Sequence, residues 1–362
     1  MFAPGKLTEQ QKRGVVVCIP KTRPNQPSDY RQITLLNTYY KILARIVANR
    51  IRPTLEDLLH PSQYCGRPGN TIFEAIASVR EAIAFDEVKR KPLCILTLDF
   101  KDAFDRISHT YLFAILRSHG FSDSFVDRIR HIYENATSMV QVNGHISAPF
   151  PIQCSVRQGC PLSMCLFTLC INPLIYRLRQ QLRGIQINRR QRKTAVVAYA
   201  DDITGFVTAP EEITAIELAL RCYERATGAK LNIEKSHALA VGTWDTTRRV
   251  MDIPYSNEIK VLEIHLSNTT AQSAMSSWAR ITTMMRIQAR EAYTRDLDLA
   301  QRIQYIHTYL LAKLWHTAQV LLPPNVSIRQ IVTAVSWFIW HGDIFQVPLS
   351  TLQKKKEEGV GA

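Results

Sequence analysis

The stretch from residue 195 to residue 207 reads AVVAYADDITGFV, and it decides how the rest of the chain is interpreted. Two apolar runs, 195–199 and 203–207, have the composition of β-strands, and a tight turn with Asp201 and Asp202 joins them. Two adjacent carboxylates between buried strands repel each other unless a cation compensates their charge, so a divalent metal is the natural partner. When such a pair stands alone, a solvated turn is the ordinary interpretation.

A third acid, Asp99, occupies a similar position. It follows the almost entirely apolar run 93–98, which is typical of a strand covered on both faces. The three carboxylates suit a hard cation, and no His/Cys cluster with zinc spacing competes with them. Two Mg²⁺ ions held about 3.5 to 4 Å apart by such groups clamp the attacking and leaving oxygens of an in-line phosphoryl transfer. The pattern therefore indicates polymerase or nuclease chemistry.

Composition restricts the class of protein. The 362 residues are 46% hydrophobic and contain only 14 Gly and 17 Pro, which excludes fibrous and low-complexity classes. The 45 Lys and Arg exceed the 31 Asp and Glu by 14 charges, a balance that suits nucleic acid, although a solvated basic surface remains an alternative. The eight cysteines lack paired C-x-x-C spacing, and the N-terminus is polar, so an intracellular setting is expected. The uncharged run 158–176 contains two prolines and several polar residues and predicts a buried helix rather than a membrane span.

Local patterns predict a mixed α/β region followed by helices. A strand is expected at 15–19, and a helix is expected to begin after the capping-box pair Thr71 and Glu74. Asn143 and Gly144 predict a hairpin turn, and Gly228 predicts the end of a helix. Beyond residue 266 the apolar spacing is helical only, which predicts a separate helical bundle.

Seven short motifs occur in one order over almost the whole chain. They are IPK (19–21), DYRQITLLN (29–37), QYCGR (63–67), LDFKDAFD (98–105), RQGCPLS (157–163), YADD (199–202) and GAKLNIEKS (228–236). This ordered set resembles the reverse transcriptase of non-LTR (LINE-type) retrotransposons.

The resemblance implies an α+β fold, a right-hand polymerase with fingers, a ferredoxin-like palm and a helical thumb. The expected domains are fingers (1–92), the first part of the palm (93–120), a fingers insertion (121–155), the second part of the palm (156–265), the helical thumb (266–345) and a truncated post-thumb segment (346–362). No endonuclease of the family is visible, so a fragment of a longer element is expected.

The resemblance also implies a metal site. Asp99 and Asp201 would bind both ions, and Asp202 would be the third catalytic acid of the same cluster. The backbone carbonyl of Phe100 would complete the site of the nucleotide-bound ion. Two Mg²⁺ ions are expected, with Mn²⁺ as an alternative.

Further residues are implied to contact the incoming nucleotide. Lys21 and Arg31 would grip the triphosphate, and the ring of Phe104 would lie beneath the sugar and exclude a 2′-hydroxyl. Glycine after Gln158 permits close backbone approach to base or template, and Lys235 would supply a proton to the leaving pyrophosphate. The ordinary alternatives are surface charge for the three cations and core packing for Phe104. The nucleotide-binding set is Lys21, Arg31, Phe100, Phe104, Gln158, Gly159 and Lys235.

Four positions depart from the family pattern. Gln32 replaces a usual proline, and Ser155 and Met164 stand where glycine and proline are usual. Glu263 occupies a glycine position in the stretch 261–264, which resembles the primer-grip turn. Glycine is favoured where the backbone needs a positive φ, so Glu263 is expected to disturb such a position.

The expected function is RNA-directed DNA synthesis, with an RNA template, a DNA primer or primer-template duplex and dNTPs as partners, and no membrane. An RNA-dependent RNA polymerase is a close alternative, which the ring of Phe104 disfavours. A catalytically inactive remnant that binds RNA is another, because Gln32 and Glu263 are unusual. A maturase or telomerase-like relative is a weaker one. The expected location is the nucleus or the cytoplasm, or both, and the sequence predicts no oligomeric state.

Overall fold

The computed structural model describes residues 7–20, 26, 30–187, 193–340 and 342, and it has the α+β architecture predicted above. The strands are β1 (Gly14–Pro20), β2 (Tyr30–Leu36), β3 (Pro92–Leu98), β4 (Phe100–Lys101), β5 (Thr137–Val142), β6 (His145–Ile146), β7 (Phe150–Pro151), β8 (Val196–Tyr199), β9 (Asp202–Val207), β10 (Lys230–Leu231), β11 (His237–Gly242), β12 (Glu258–Val261) and β13 (Ile264–Ser267).

The helices alternate with these strands in the first two thirds of the chain and dominate the last third. They are α1 (Glu9–Lys12), α2 (Thr38–Ile51), α3 (Leu55–Leu58), α4 (Ile72–Lys89), α5 (His109–Ser118), α6 (Asp123–Tyr133), α7 (Ser163–Gln181), α8 (Glu211–Thr227), α9 (Thr270–Tyr293), α10 (Leu299–Tyr305), α11 (Ala312–Ala318) and α12 (Asn325–Ile339). Single turns of 3₁₀-helix occupy Arg52–Thr54 and Ile233–Lys235, and a wider π-helical segment, Ile306–Leu311, joins α10 to α11.

A four-stranded antiparallel sheet carries the motifs with the acidic residues. Its strand order is β11-β3-β9-β8, so β3 and β9 are the inner strands. Helix α7 lies between β3 and β8 in the chain, and α8 lies between β9 and β11, which gives the β-α-β-β-α-β order of a ferredoxin-like core. The central position of β3 explains why residues 93–98 are almost entirely apolar.

A second sheet joins the N-terminal strands to the segment after α6. Its order is β2-β1-β5-β6, with β7 also pairing with β5. Strand β1 runs antiparallel to β2 and parallel to β5. The predicted hairpin turn is confirmed, since Asn143 and Gly144 have φ values of 48° and 82° between β5 and β6.

The predicted helix boundaries follow from side-chain and glycine caps. Helix α4 begins after a capping box, in which Glu74 N–H donates to Thr71 Oγ1 (3.3 Å) and Thr71 N–H donates to Glu74 Oε2 (2.8 Å). Helix α8 ends at Gly228, whose φ of 84° is the left-handed conformation expected of a terminating glycine.

Helix α7 contains most of the uncharged run, and its residues are largely buried, as predicted. Asn172 lies inside the protein and satisfies both ends of its amide, because Oδ1 accepts from His60 N–H (2.8 Å) and Nδ2 donates to the Leu58 carbonyl (2.9 Å). Across the part of the chain that the structure describes, no helix combines the length and apolarity needed to span a bilayer.

The chain divides into two compact units. Unit one contains the described residues up to Val79 and Arg90–Ser256, and unit two contains Arg80–Lys89 with the described residues from Asn257 onward. The hairpin β12–β13 belongs to unit two together with α9–α12. The C-terminal part of this unit therefore begins at Asn257, nine residues before the position expected for the thumb. The division into fingers, palm and thumb stays a prediction.

The turn between β12 and β13 shows how an unusual residue is tolerated. Leu262 and Glu263 both have positive φ, 48° and 70°, so the expectation that Glu263 occupies a glycine-type position is confirmed. Lys260 Nζ lies 2.7 Å from Glu263 Oε2 and pairs with its carboxylate. The strained turn therefore carries a local ion pair rather than an isolated negative charge.

Arg157 is an almost fully buried cation that connects three parts of unit one. It is 2% exposed, and its guanidinium donates to the Lys12 carbonyl (2.7 Å) and the Thr137 carbonyl (3.4 Å) and lies 5.6 Å from the centre of the Tyr40 ring. Within the described ranges no carboxylate pairs with it. Its charge is stabilised by carbonyl dipoles and an aromatic face instead.

We expect Arg157→Ala to lower the free energy of unfolding by about 3 kcal/mol, because two buried carbonyls lose their donor and a large side chain leaves a void. Arg177→Ala is the matched control, since Arg177 is exposed on α7, and we expect a change within about 0.5 kcal/mol. Chemical denaturation of both variants is the measurement. Equal stability of the two variants would show that Arg157 is not a structural cation.

Candidate active site

Asp99 is held by the segment that follows β10. Its backbone N–H donates to Ser236 Oγ (3.1 Å), and its carbonyl accepts from Asn232 N–H (2.8 Å). Its carboxylate Oδ2 accepts from Asn232 Nδ2 at 3.0 Å. Three hydrogen bonds therefore fix both the backbone and the carboxylate of Asp99 at the end of β3.

Asp201 lies in the turn between β8 and β9. Tyr199 pairs with Asp202, which leaves Ala200 and Asp201 as the turn residues, and Ala200 has a φ of 56°. The fully buried side chain of Gln63 clasps this turn, because its Oε1 accepts from Ala200 N–H (3.0 Å) and its Nε2 donates to the Ala200 carbonyl (3.3 Å). The unusual backbone of the turn is thus stabilised by a side chain from far away in the sequence.

The pairing of β3 with β9 brings Asp99 and Asp201 to the same end of the sheet. Burial raises the pKa of Asp201, and the negative charge of Asp99 raises it further. The guanidinium of Arg31, on β2, acts in the opposite direction and lowers the pKa of Asp201. The structure therefore brings together two of the predicted acids and one of the predicted triphosphate-binding cations.

Asp202 occupies a different environment. It is the first residue of β9 and is exposed, and neighbouring residues of a strand point to opposite faces. Within the described ranges no group of three or more His, Cys, Asp and Glu side chains is placed to hold a metal ion. The predicted convergence of three carboxylates is therefore found for Asp99 and Asp201, whereas Asp202 is their exposed neighbour.

The oxygen groups present fit a hard cation. The side chain of Phe100 is buried, with its ring 5.7 Å from that of Tyr223 in an edge-to-face contact, so only its backbone is available as a ligand. Asp99 and Asp201 repel each other as they stand, and a divalent cation relieves such a repulsion. Two carboxylates with a backbone carbonyl leave the remaining positions to water and phosphate oxygens, which is the coordination that Mg²⁺ prefers.

Gln158 and Gly159 lie against β2. The Gln158 carbonyl accepts from Thr34 N–H at 2.8 Å. Gly159 has a φ of 104°, and a Cβ atom there would lie 2.5 Å from the Thr34 carbonyl oxygen. Glycine is required here, but the close approach that the structure shows is to the backbone of β2, where the sequence predicted an approach to base or template.

The other predicted nucleotide-binding residues are found in three different settings. The ring of Phe104 is half-buried and stacks on Phe167, with ring centres 4.2 Å apart. Lys235 is exposed in the 3₁₀ turn that follows Asn232. Lys21 lies outside the described residues.

Sequence reasoning missed three residues that hold the acidic pair in place: Gln63, Asn232 and Ser236. All three belong to motif stretches quoted above, but no role was predicted for them. Gln63 contacts Ala200 across 137 residues of sequence, and Asn232 contacts Asp99 across 133. Such long-range contacts leave no periodic pattern, and the only available signal was a polar side chain inside a motif.

The profile of the family described as reverse transcriptase (RNA-dependent DNA polymerase) matches residues 19–266, more than half of the chain. The chain belongs to this family. Over 352 residues it is 29% identical to the Transposon TX1 uncharacterized 149 kDa protein of Xenopus laevis, a match that covers 94% of this chain and 26% of that protein. Over 238 residues it is 26% identical to the Retrovirus-related Pol polyprotein from type-2 retrotransposable element R2DM of Drosophila melanogaster. This match covers 66% of this chain and 22% of that protein. The reverse transcriptase chain described here thus spans about a quarter of the length of these relatives.

Solved structures confirm the predicted right-hand polymerase fold. The chain superposes on telomerase from Candida tropicalis in complex with a TWJ fragment of telomeric RNA with a TM-score of 0.52 and 12% identity, covering 96% of this chain and 64% of that chain. The superposition on apo telomerase from the same organism has a TM-score of 0.52 and covers 94% of this chain and 64% of that chain. Reverse transcriptases in general use divalent metal ions, and the carboxylate oxygens of Asp99 and Asp201 are chemically suited to such ions.

The raised pKa of Asp201 predicts a stability cost at neutral pH. The folded state binds this proton more tightly than the unfolded state does, so stability falls as the pH rises from the ordinary carboxyl range through the raised pKa. We expect Asp201→Asn to be more stable than the wild type at pH 7 by about 1 kcal/mol, and the gain to shrink as the pH falls towards 4.

Chemical denaturation between pH 4 and pH 8 provides the measurement. Asp57→Asn, at an exposed position on α3, is the matched control and should change stability by less than about 0.5 kcal/mol. An Asp201→Asn protein that is less stable than the wild type at pH 7 would contradict the assignment of a buried, repelled charge.

Proposed function

We propose that the chain is the polymerase part of a non-LTR retrotransposon protein and catalyses RNA-directed DNA synthesis. The primer 3′-oxygen attacks the α-phosphate of a deoxynucleoside triphosphate, and pyrophosphate leaves. The observation that carries this proposal is the partly buried pair Asp99 and Asp201, on which the charge of Arg31 also acts, in a chain of the reverse transcriptase family. The Retrovirus-related Pol polyproteins among its relatives support the retrotransposon origin.

Asp99, Asp201, Asp202 and the carbonyl of Phe100 are the groups that would hold two Mg²⁺ ions, or Mn²⁺ in their place. When bound, the ions stabilise the attacking and leaving oxygens of the phosphoryl transfer. Asn232 and Ser236 hold Asp99 in one orientation before any substrate binds, and Gln63 does the same for the turn at Asp201. This preorganisation avoids the cost of ordering the ligands during the reaction.

The nucleotide is bound by residues around the acidic pair. The guanidinium of Arg31 acts electrostatically on Asp201, which supports a role in which it would hold the phosphates of the nucleotide. Lys21 would add a second cation, Lys235 would donate a proton to the leaving pyrophosphate, and Gln158 would contact the nucleotide from the segment that adjoins β2.

The partners proposed are an RNA template, a DNA primer or primer-template duplex, and dNTPs. The net charge of +14 favours polyanionic partners of this kind. The proposed domains are fingers at 1–92 and 121–155, palm at 93–120 and 156–265, and thumb at 266–345. Activity of this kind takes place inside the cell, in the nucleus or the cytoplasm or both.

We expect the full chain to extend a DNA primer on an RNA template in the presence of Mg²⁺. Asp99→Asn and Asp201→Asn should each reduce the extension rate at least about 10³-fold, because each removes a carboxylate that would hold the ions that stabilise the reacting oxygens. Asp57→Asn should extend at the wild-type rate. Single-nucleotide extension on a labelled primer is the measurement.

Two results of this assay would count against the proposal. Equal extension by Asp201→Asn and the wild type would refute the assigned site. RNA binding without extension by the wild-type chain would favour the alternative of an inactive, RNA-binding remnant, which the departures at Gln32 and Glu263 suggested.

The half-buried ring of Phe104 predicts selection of the nucleotide sugar. We expect Phe104→Val to raise the ratio of ribonucleotide to deoxynucleotide incorporation, measured as kcat/KM, about tenfold or more, because a bulky ring no longer opposes the 2′-hydroxyl. Phe113→Val, at a similarly half-buried ring on α5, should leave the ratio unchanged. A wild-type chain that prefers ribonucleotides would instead indicate an RNA-dependent RNA polymerase.

A further inference from the structure

Asp105 ends the motif that begins at Leu98, and it is not one of the residues proposed to bind metal or nucleotide. The backbone around it lies along the segment before Gln158, because Val156 N–H donates to the Phe104 carbonyl (2.8 Å) and Ser155 N–H donates to the Ile107 carbonyl (2.9 Å). Asp105 therefore lies between the residue proposed to contact the sugar and the segment proposed to contact the nucleotide.

The carboxylate of Asp105 is held by two neutral donors. Ser155 Oγ donates to Oδ1 at 3.0 Å, and Gln158 Nε2 donates to Oδ2 at 3.1 Å. Within the described ranges no lysine or arginine side chain pairs with it. Burial and the nearby charge of Asp102 raise the pKa of Asp105, whereas the two hydrogen bonds lower it. The carboxylate of Asp105 therefore acts as a hydrogen-bond acceptor for Ser155 and Gln158 rather than as a solvated surface charge.

Both the backbone and the side chain of Gln158 are held by hydrogen bonds. Its backbone carbonyl accepts from Thr34 N–H on β2, and its side chain donates to Asp105. An ionised carboxylate only accepts hydrogen bonds, so it engages the NH₂ group of the amide and not its oxygen. Asp105 thus determines which way the amide of Gln158 is turned, and its Oε1 is left to accept from a donor on the opposite side.

Ser155 gives independent support, because it departs from the glycine usual at this position. Its φ of 104° is unfavourable for a residue with a side chain. The hydroxyl that comes with this strained backbone donates to Asp105. Glycine at position 155 would relieve the strain but would supply no hydrogen-bond donor. Serine in place of glycine therefore adds one hydrogen bond to the carboxylate of Asp105.

We propose that Asp105 is a positioning residue for the incoming deoxynucleoside triphosphate. It holds the amide of Gln158 so that Oε1 accepts a hydrogen bond from the nucleotide, and it touches no reacting atom itself. The inference rests on the proposed polymerase function. It predicts that loss of Asp105 weakens nucleotide binding and leaves the chemical step almost unchanged.

The test is a double-mutant cycle on the full chain with an RNA template and a DNA primer. We expect D105A and Q158A each to raise KM for dNTP about tenfold and to change kcat less than about threefold, since each removes one charge-assisted hydrogen bond. In the Q158A background, D105A should add less than about twofold, because the contact is already lost. D105N should restore KM to within about threefold, since its oxygen still accepts from Gln158.

Two controls separate positioning from folding. D102N alters an exposed acid of the same turn, paired with Arg106 at 3.7 Å, and should leave KM unchanged. D105S has a side chain too short to reach Gln158 and should behave as D105A does, which keeps the test decisive if D105A unfolds in a thermal denaturation experiment. Titration of dNTP onto a primer that ends in a dideoxynucleotide gives the binding constant without chemistry.

The outcomes are distinct. Losses from D105A and Q158A that multiply in the double variant, or a fall in kcat with unchanged KM, would overturn the positioning role. In either case extension by the wild type would leave the proposed function intact. Failure of the wild-type chain to extend any primer would overturn the proposed function itself.

Discussion

The site depends on a repulsion that the fold maintains. Asp99 and Asp201 come from strands that are neighbours in one sheet, and burial together with their mutual charge makes ionisation of Asp201 unfavourable. Asn232 and Ser236 hold Asp99 by hydrogen bonds, and Gln63 holds the turn that carries Asp201. The repulsion lowers the stability of the folded protein at neutral pH, and a bound divalent cation would relieve it.

Much of the fold could be predicted because its determinants are local. The apolar runs 93–98 and 195–207 predicted β3, β8 and β9, and Gly228 predicted the end of α8, since each signal lies within a few residues of its effect. The approach of Asp99 to Asp201 was also predicted. The supports of the acids, such as Gln63, could not be predicted, because a contact over more than a hundred residues depends on the complete fold.

Sequence alone also does not show why an unusual residue is tolerated at its position. Glycine at 159 was predicted to permit close approach to base or template, and the structure shows a second reason for glycine there, the Thr34 carbonyl of β2. Ser155 and Glu263 were recognised as departures from the family pattern, and both occupy positive-φ positions. Their side chains have local partners, Asp105 and Lys260, which the sequence alone could not pair. A residue that breaks a backbone rule can thus be accompanied by a compensating contact.

The buried guanidinium of Arg157 has a mechanical consequence. It is bonded to carbonyls of α1 and β5, while the adjoining residue, Gln158, is bonded to β2. The segment at residues 157–158 is therefore connected by hydrogen bonds to α1 and to two strands of the N-terminal sheet. A change in the position of α1, β2 or β5 would therefore have to break these hydrogen bonds or carry residues 157–158 along with it.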